Sequence, residues 1–155
     1  MILPFPTAER RTEKEDCIAL TSLLYVSKST IPSAEAEEEI ARIVATAHAR
    51  NPGSGVTGAL LFAGEHFAQV LEGSKGTVDR LMVNIDRDPR HAQVAIVDQM
   101  PIKERRFPDW SLAYFGPSQF VSRHVTRLLG DPTPGDHRRA SRWLNELLRE
   151  FAGSR

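Results

Sequence analysis

Cysteine is nearly absent from this chain of 155 residues: Cys17 stands alone, which excludes a disulfide within it and any zinc cluster built on cysteines. A lone thiol of this kind fits a reducing compartment, where it serves as a small apolar side chain. No excess of either charge exists, since 20 basic and 20 acidic residues cancel. The chain therefore lacks the field that would draw it onto nucleic acid or an anionic membrane, and neither is an expected partner. No stretch approaches the ~20 apolar residues of a membrane span. The N-terminal MILPFP is broken by two prolines and followed by charged residues, unlike a signal peptide. A soluble, cytoplasmic protein is the expectation.

Catalytic constellations are missing as well. Gly53 and Gly55 follow a helical pattern instead of joining a strand to a helix, so they do not form a phosphate-cradling loop. His48, His66, His91, His124 and His137 have none of the paired spacings of a metal site and read as surface or hydrogen-bonded histidines. No serine stands in a nucleophile elbow. An enzyme is not indicated.

What the chain does contain is a regular alternation of strand and helix signals. Residues 1–16 crowd charge into RRTEKED and read as a poorly ordered lead-in. CIALTSLLYVS reads as a first strand from Cys17. Ser33 then offers a helix N-cap, with acidic residues 35 and 37–39 where the helix dipole favours them. Ile40, Ile43, Val44 and Ala47 form one apolar stripe, and the turn signal NPGSG ends the helix near Arg50–Asn51. Residues 56–73 read as a hairpin bent at Ala63–Gly64–Glu65. Gly73–Ser74 caps a second helix, with Val78, Leu81, Met82 and Ile85 inward and Asp88–Pro89 as its stop. Residues 92–97 and 110–115 read as the last two strands, joined by the charged KERRFPD.

This βαββαββ order predicts a ferredoxin-like α+β sandwich, a five-stranded mixed sheet with two helices on one face. The tail carries two further stripes, Val121, Val125, Leu128 and Leu129, then Leu144, Leu147, Leu148 and Phe151. A C-terminal helical pair is expected to cover the other face. Its arginine excess reads first as a solvated surface and second as an interaction surface. The domain division expected is a lead-in at 1–16, a core domain at 17–116 and a helical cap at 117–155.

Within the hairpin, strand alternation puts Phe67, Gln69 and Leu71 on one side and Ala68, Val70 and Glu72 on the other. A buried amide between bulky apolar neighbours needs partners, because leaving it unpaired costs about 1–3 kcal/mol. Two readings stay open on pattern alone: Gln69 lies near a strand end and bonds backbone or water, or it faces another polar side chain. With the first strand central, Tyr25 and Gln69 share the helix-facing side of neighbouring strands, and Asn51 lies near the same layer. A phenol beside a rotatable donor–acceptor amide resembles a switch more than a catalytic dyad.

The segments LLYVS, RNPGSGVTGALL, HFAQVLEG, RDPRH and RRFPDWSLAYF, in this order and spacing, resemble the BLUF family of blue-light sensors that use FAD. The similarity covers about residues 17–116, and the tail is similar to the helical cap of short, single-domain members. The resemblance implies a noncovalent flavin between the two sheet-facing helices, FAD, with FMN or riboflavin possible in the same pocket. It implies that Tyr25 donates an electron and then a proton, that Gln69 bonds both the tyrosine and the ring, and that Asn51 bonds the ring's pyrimidine part. Asp88 and Arg87 match polar positions of the pocket, and Ile43 and Ile85 its apolar walls. Trp110 and Leu112 share a strand face close to Gln69. Leu112 departs from the family, many members of which carry methionine there. A photoreceptor without enzyme activity, signalling to a protein partner or through a homo-oligomer, is the function implied. The competing reading is a flavin-free interaction or oligomerisation module of the same fold; a flavin enzyme is a third.

Overall fold

Strand β1 (Leu20–Ser29) opens the fold in the computed structural model, which describes residues 19–130 and 133–153. The expected lead-in at 1–16, and Cys17, lie outside these residues. A 3-10 turn at Ser33–Glu35 leads into α1 (Ala36–Ser54). The hairpin strands β2 (Thr57–Phe62) and β3 (His66–Ser74) follow, then α2 (Lys75–Arg87). Strands β4 (His91–Ile102) and β5 (Trp110–Phe115) complete the sheet, and α3 (Gln119–Leu129) and α4 (Pro134–Gly153) close the described chain.

The sheet order is β4-β1-β3-β2-β5, antiparallel except for the parallel β2–β5 pair. This is the five-stranded mixed sheet of the expected ferredoxin-like sandwich. Alternation along the central strands divides their side chains between two cores. Leu24, Val26, Ala68 and Val70 face Val121, Val125 and Leu128 of α3 and Leu144 and Leu148 of α4. On the opposite face, Leu23, Tyr25 and Leu71 meet Val78 and Met82 of α2, while Leu60, Phe62, Phe67 and Trp110 meet Ile40 of α1. The helical pair thus covers one face of the sheet, and α1 and α2 the other.

Three expectations need correction at the level of single elements. Ser33 does not cap α1: it belongs to the 3-10 turn preceded by Pro32, and no side chain caps either segment. The helix also runs past Arg50–Asn51 and through Pro52 to Ser54. Proline removes one intrahelical donor, but so close to the end the loss is confined to the last turn. Gly55, at φ 74°, then terminates the helix with its N–H directed at the carbonyls of Asn51 and Pro52, a left-handed cap suited to glycine. Third, β4 extends to Ile102 instead of ending at Val97, because it pairs with β1 from Ser29↔His91 to Leu20↔Ile102. Pro101 fits there since β4 is an edge strand and can leave its outer side unpaired.

The charged β4–β5 connection is tied down, not merely solvated. Glu72 is fully buried and accepts the backbone N–H groups of Arg106 (2.9 Å) and Phe107 (2.8 Å). Arg105 donates to the Gly55 carbonyl (2.7 Å) and the Thr57 hydroxyl (2.7 Å). The loop that delivers Trp110 is therefore fixed to the ends of β2 and β3. Gly58 makes the hairpin's close approach possible: a Cβ there would stand 1.9 Å from the Val70 carbonyl oxygen.

Candidate functional site

Tyr25 and Gln69 are direct partners in the β1–β3 register. Opposite positions on one face of an antiparallel pair bring side chains together, and here the phenol donates to Gln69 Oε1 at 2.6 Å. The tyrosine is 1% exposed and the glutamine 7%. Burial first, and the charge of Asp88 second, push the phenol well above tyrosine's ordinary pKa, so it stays protonated and acts as donor. The alternative reading of Gln69, bonded only to backbone or water, is set aside by this contact.

Above the pair lies a cavity of about 370 Å³ between α1 and α2, within the ~300–1,000 Å³ range of cofactor pockets. Helical periodicity supplies its walls: Ile43, Ala47 and Asn51 recur one turn apart on α1, and Leu81, Ile85 and Asp88 do so from α2 into its cap. Because α1 continues to Ser54, Asn51 is part of the helix and buried. Trp110 enters from β5, its ring edge-on to His48 at a centroid distance of 5.4 Å.

The polar end of the cavity is organised around Asp88. Burial alone would raise its carboxyl, but hydrogen bonds from the Arg90 side chain and backbone, with the arginine's charge, hold it below the ordinary value. Arg90 grips it with Nη2 at 2.6 Å and its backbone N–H at 2.9 Å. His91 follows, bonded through Nδ1 to the Ser27 hydroxyl (2.7 Å), its ring 4.3 Å from Phe67 and 6.0 Å from Tyr25. Burial lowers its pKa to about 4, outweighing the opposite pull of Asp88. The imidazole is neutral at pH 7.

Of the residues singled out in the sequence, Tyr25, Ile43, Asn51, Gln69, Ile85, Asp88 and Trp110 converge on this cavity. Arg87 does not: it is exposed in the last turn of α2, and Arg90 lines the cavity instead. Leu112 is also outside the lining, packed beside the Leu60–Trp110 cluster. Sequence reasoning missed Thr46, Arg50, Ser54, Thr77, Arg80, Asn84, Arg90 and His91. For Arg80 and Asn84 a signal existed, since they precede Asp88 by eight and four residues and so share its helix face. Apolar periodicity alone does not single them out.

The donor set suits a planar heteroaromatic ring bearing carbonyls. Asn51, Gln69 and Asn84 offer amide donors and acceptors between apolar walls. The buried Trp110 indole N–H has no hydrogen-bond partner among the described residues, as expected where a ligand acceptor is to be met. No group of His, Cys, Asp or Glu among the described residues could hold a metal ion.

Residues 20–113 match the family described as "BLUF: Sensors of blue-light using FAD", and the chain belongs to this family of flavin blue-light sensors. It is 39% identical over 94 residues to the photoactivated adenylate cyclase subunit beta of Euglena longa, a stretch that is 60% of this chain and 11% of that protein. The chain thus spans about a tenth of that relative. Among solved structures it is similar to the dark state of BlrB, a BLUF protein, with 34% identity, a TM-score of 0.66 and coverage of 88% of this chain and 98% of that one. It is also similar to BlsA in its ground state, with 26% identity, a TM-score of 0.65 and coverage of 83% and 87%. Among the described residues no helix is long and apolar enough to cross a membrane.

Proposed function

We propose that the chain senses blue light by holding FAD noncovalently in the α1–α2 cavity, with Tyr25 as electron and proton donor and Gln69 as the switch. FMN and riboflavin carry the same ring and fit the same inner site. The observation that carries this reading is the 2.6 Å bond between the two side chains on the cavity floor. Bound there, the flavin supplies absorption of blue light and, once excited, a strong oxidant.

Tyr25 resists simple deprotonation because of its burial and the nearby Asp88. Its proton would therefore leave only after an electron has passed from the phenol to the excited ring, which would take up both. Gln69 is held with Oε1 toward the phenol, and loss of the phenolic proton removes the reason for that orientation. The amide can then turn or tautomerise, exchanging its donor and acceptor ends. After the charge returns to Tyr25, the rearranged amide offers the ring a stronger donor, the proposed origin of a red-shifted absorption. Asn51 would bond the ring's pyrimidine part, Asp88 would line the polar side of the pocket, and Ile43 and Ile85 would supply its apolar walls.

The signal requires two packings with different external contacts. Trp110 and Leu112 on β5 lie between the switch and the cap, and Tyr114 of the same strand meets Phe151 of α4 at 5.2 Å. A change carried along β5 to the cap, read by a protein partner or a second copy of the chain, is the proposed output, with no catalytic turnover by this domain. Two variants test the assignment. Gln69→Leu and Tyr25→Phe should both retain flavin and lose the light-induced red shift, and Tyr25→Phe should lengthen flavin fluorescence. Normal switching in either variant would refute the role given to that residue.

A further inference from the structure

The β4–β5 connection reaches both faces of the sheet. Phe107 is buried in the core beneath the helical cap, and Trp110, at the start of β5, lines the cavity on the other face. The run between them is held from both ends. Beyond the two backbone N–H groups it accepts, Glu72 has its second carboxylate oxygen 3.5 Å from the Arg106 guanidinium, which itself donates to the Ser22 hydroxyl at 2.8 Å. Arg105 spreads its fork over three acceptors: the Gly55 carbonyl (2.7 Å), the Thr57 hydroxyl (2.7 Å) and the Glu72 carbonyl (2.8 Å). Next to Trp110, the Asp109 carbonyl accepts the Gly58 N–H at 3.2 Å.

These ties end on the elements that furnish the cavity. Gly55 caps α1, whose last turn carries Asn51, and Glu72 belongs to β3, the strand of Gln69. Strand alternation turns Glu72 to the face opposite Gln69, so its carboxylate holds the loop without entering the site. Fully buried, that carboxylate would be left unsatisfied by any loop position that withdrew its donors, which selects one position sharply. Resting on the flavin reading above, we propose that Glu72 and Arg105 are positioning residues of the photochemical site: together they fix Trp110 of β5 and the Asn51 end of α1 relative to Gln69. A fixed indole keeps water from its side of the cavity, so a rearranged Gln69 amide finds few outside donors to help it return. Loosening the brace then shortens the lit state and leaves the red shift in place.

The brace is read first without flavin, by NMR of the isotope-labelled, flavin-free full chain. Trp110→Phe assigns the Trp110 indole N–H signal against that of Trp143, the other tryptophan. Arg105→Ala, which removes a half-buried side chain, should shift or broaden the Trp110 signal and leave that of Trp143 unchanged. Glu72→Ala should do the same, whereas Glu72→Gln keeps an oxygen acceptor for the two backbone N–H groups and should stay close to wild type. If Glu72→Ala does not fold, Arg105→Ala decides. With flavin bound, Arg105→Ala should speed dark recovery by roughly 3- to 10-fold at unchanged red-shift amplitude, the scale that one or two lost hydrogen bonds support. An unmoved Trp110 signal, equal disturbance of both tryptophans, or recovery that is unchanged or slower would each overturn the positioning role. A wild-type chain that shows no red shift in light would instead remove the flavin reading, whatever the indole signals do, and the photochemical role with it.

Discussion

On one sheet face the buried Tyr25, bonded to Gln69, lies beside the half-buried His91, and the surroundings hold the phenol protonated and the imidazole neutral. His91 gives this a measurable consequence. Its pKa of about 4 lies below the ordinary 6.5, so the folded state prefers the neutral ring. A group depressed in the fold contributes stability that is present above the ordinary value and lost as pH falls through the folded one. Stability should therefore decline from about pH 6.5 toward 4, and urea midpoints at pH 7 and pH 5 will show it. His66, lowered chiefly by burial, acts in the same direction, so His91→Asn should flatten the decline without removing it. Equal slopes in wild type and variant would contradict the assignment. Leu112 offers a second test at this scale. It lacks the thioether that the family resemblance leads one to expect there, so Leu112→Met should preserve the red shift and change the dark-recovery rate; equal rates would refute the idea. Tyr25 and Gln69 were legible in the sequence because strand alternation sets the face of each and the βαββαββ order makes their strands neighbours. His91 was not, because its burial depends on β4 pairing with β1 and on Phe67 across the face.

Elements were legible where one force dominated. The two apolar stripes of the tail prescribed helices, and α3 and α4 lie on the sheet as their spacing requires. The N-terminus of α4 is closed reciprocally: the Thr133 hydroxyl accepts the Asp136 N–H at 3.1 Å, and the Asp136 carboxylate accepts the Thr133 N–H at 2.9 Å. Leu144 is buried at the centre of this packing. Leu144→Ala should lower unfolding free energy by about 2–5 kcal/mol in denaturant titration, with the red shift retained. A loss under about 1 kcal/mol would mean that the cap contributes little to the fold. Local signals in conflict were read less well. Pro52 argues for an earlier end to α1, but Gly55 supplies a better cap three residues on, and the longer helix brings Asn51 and Ser54 to the cavity. Polar residues on the inner face of α2 were invisible to a reading that follows apolar periodicity, because a helix facing a polar cofactor breaks its own stripe.

For the molecule as a whole, one sheet serves two purposes. Its cap face is closed by apolar packing, while its other face keeps a cavity between helices that close-packed interiors would ordinarily fill. On the proposed route a rearrangement at Gln69 would reach α4 along β5, which carries Trp110 on the cavity side and Tyr114 beside Phe151. Zero net charge hides the local excess of arginine at the cavity, which composition alone does not reveal. If a reversible amide links this cavity to light, a dark-minus-light absorption spectrum of the flavin-loaded chain tests the link most directly. A flavin band that moves to the red under blue light and returns in darkness is the predicted result. A bound flavin whose spectrum is unchanged by light, or bleaches without recovery, would contradict it.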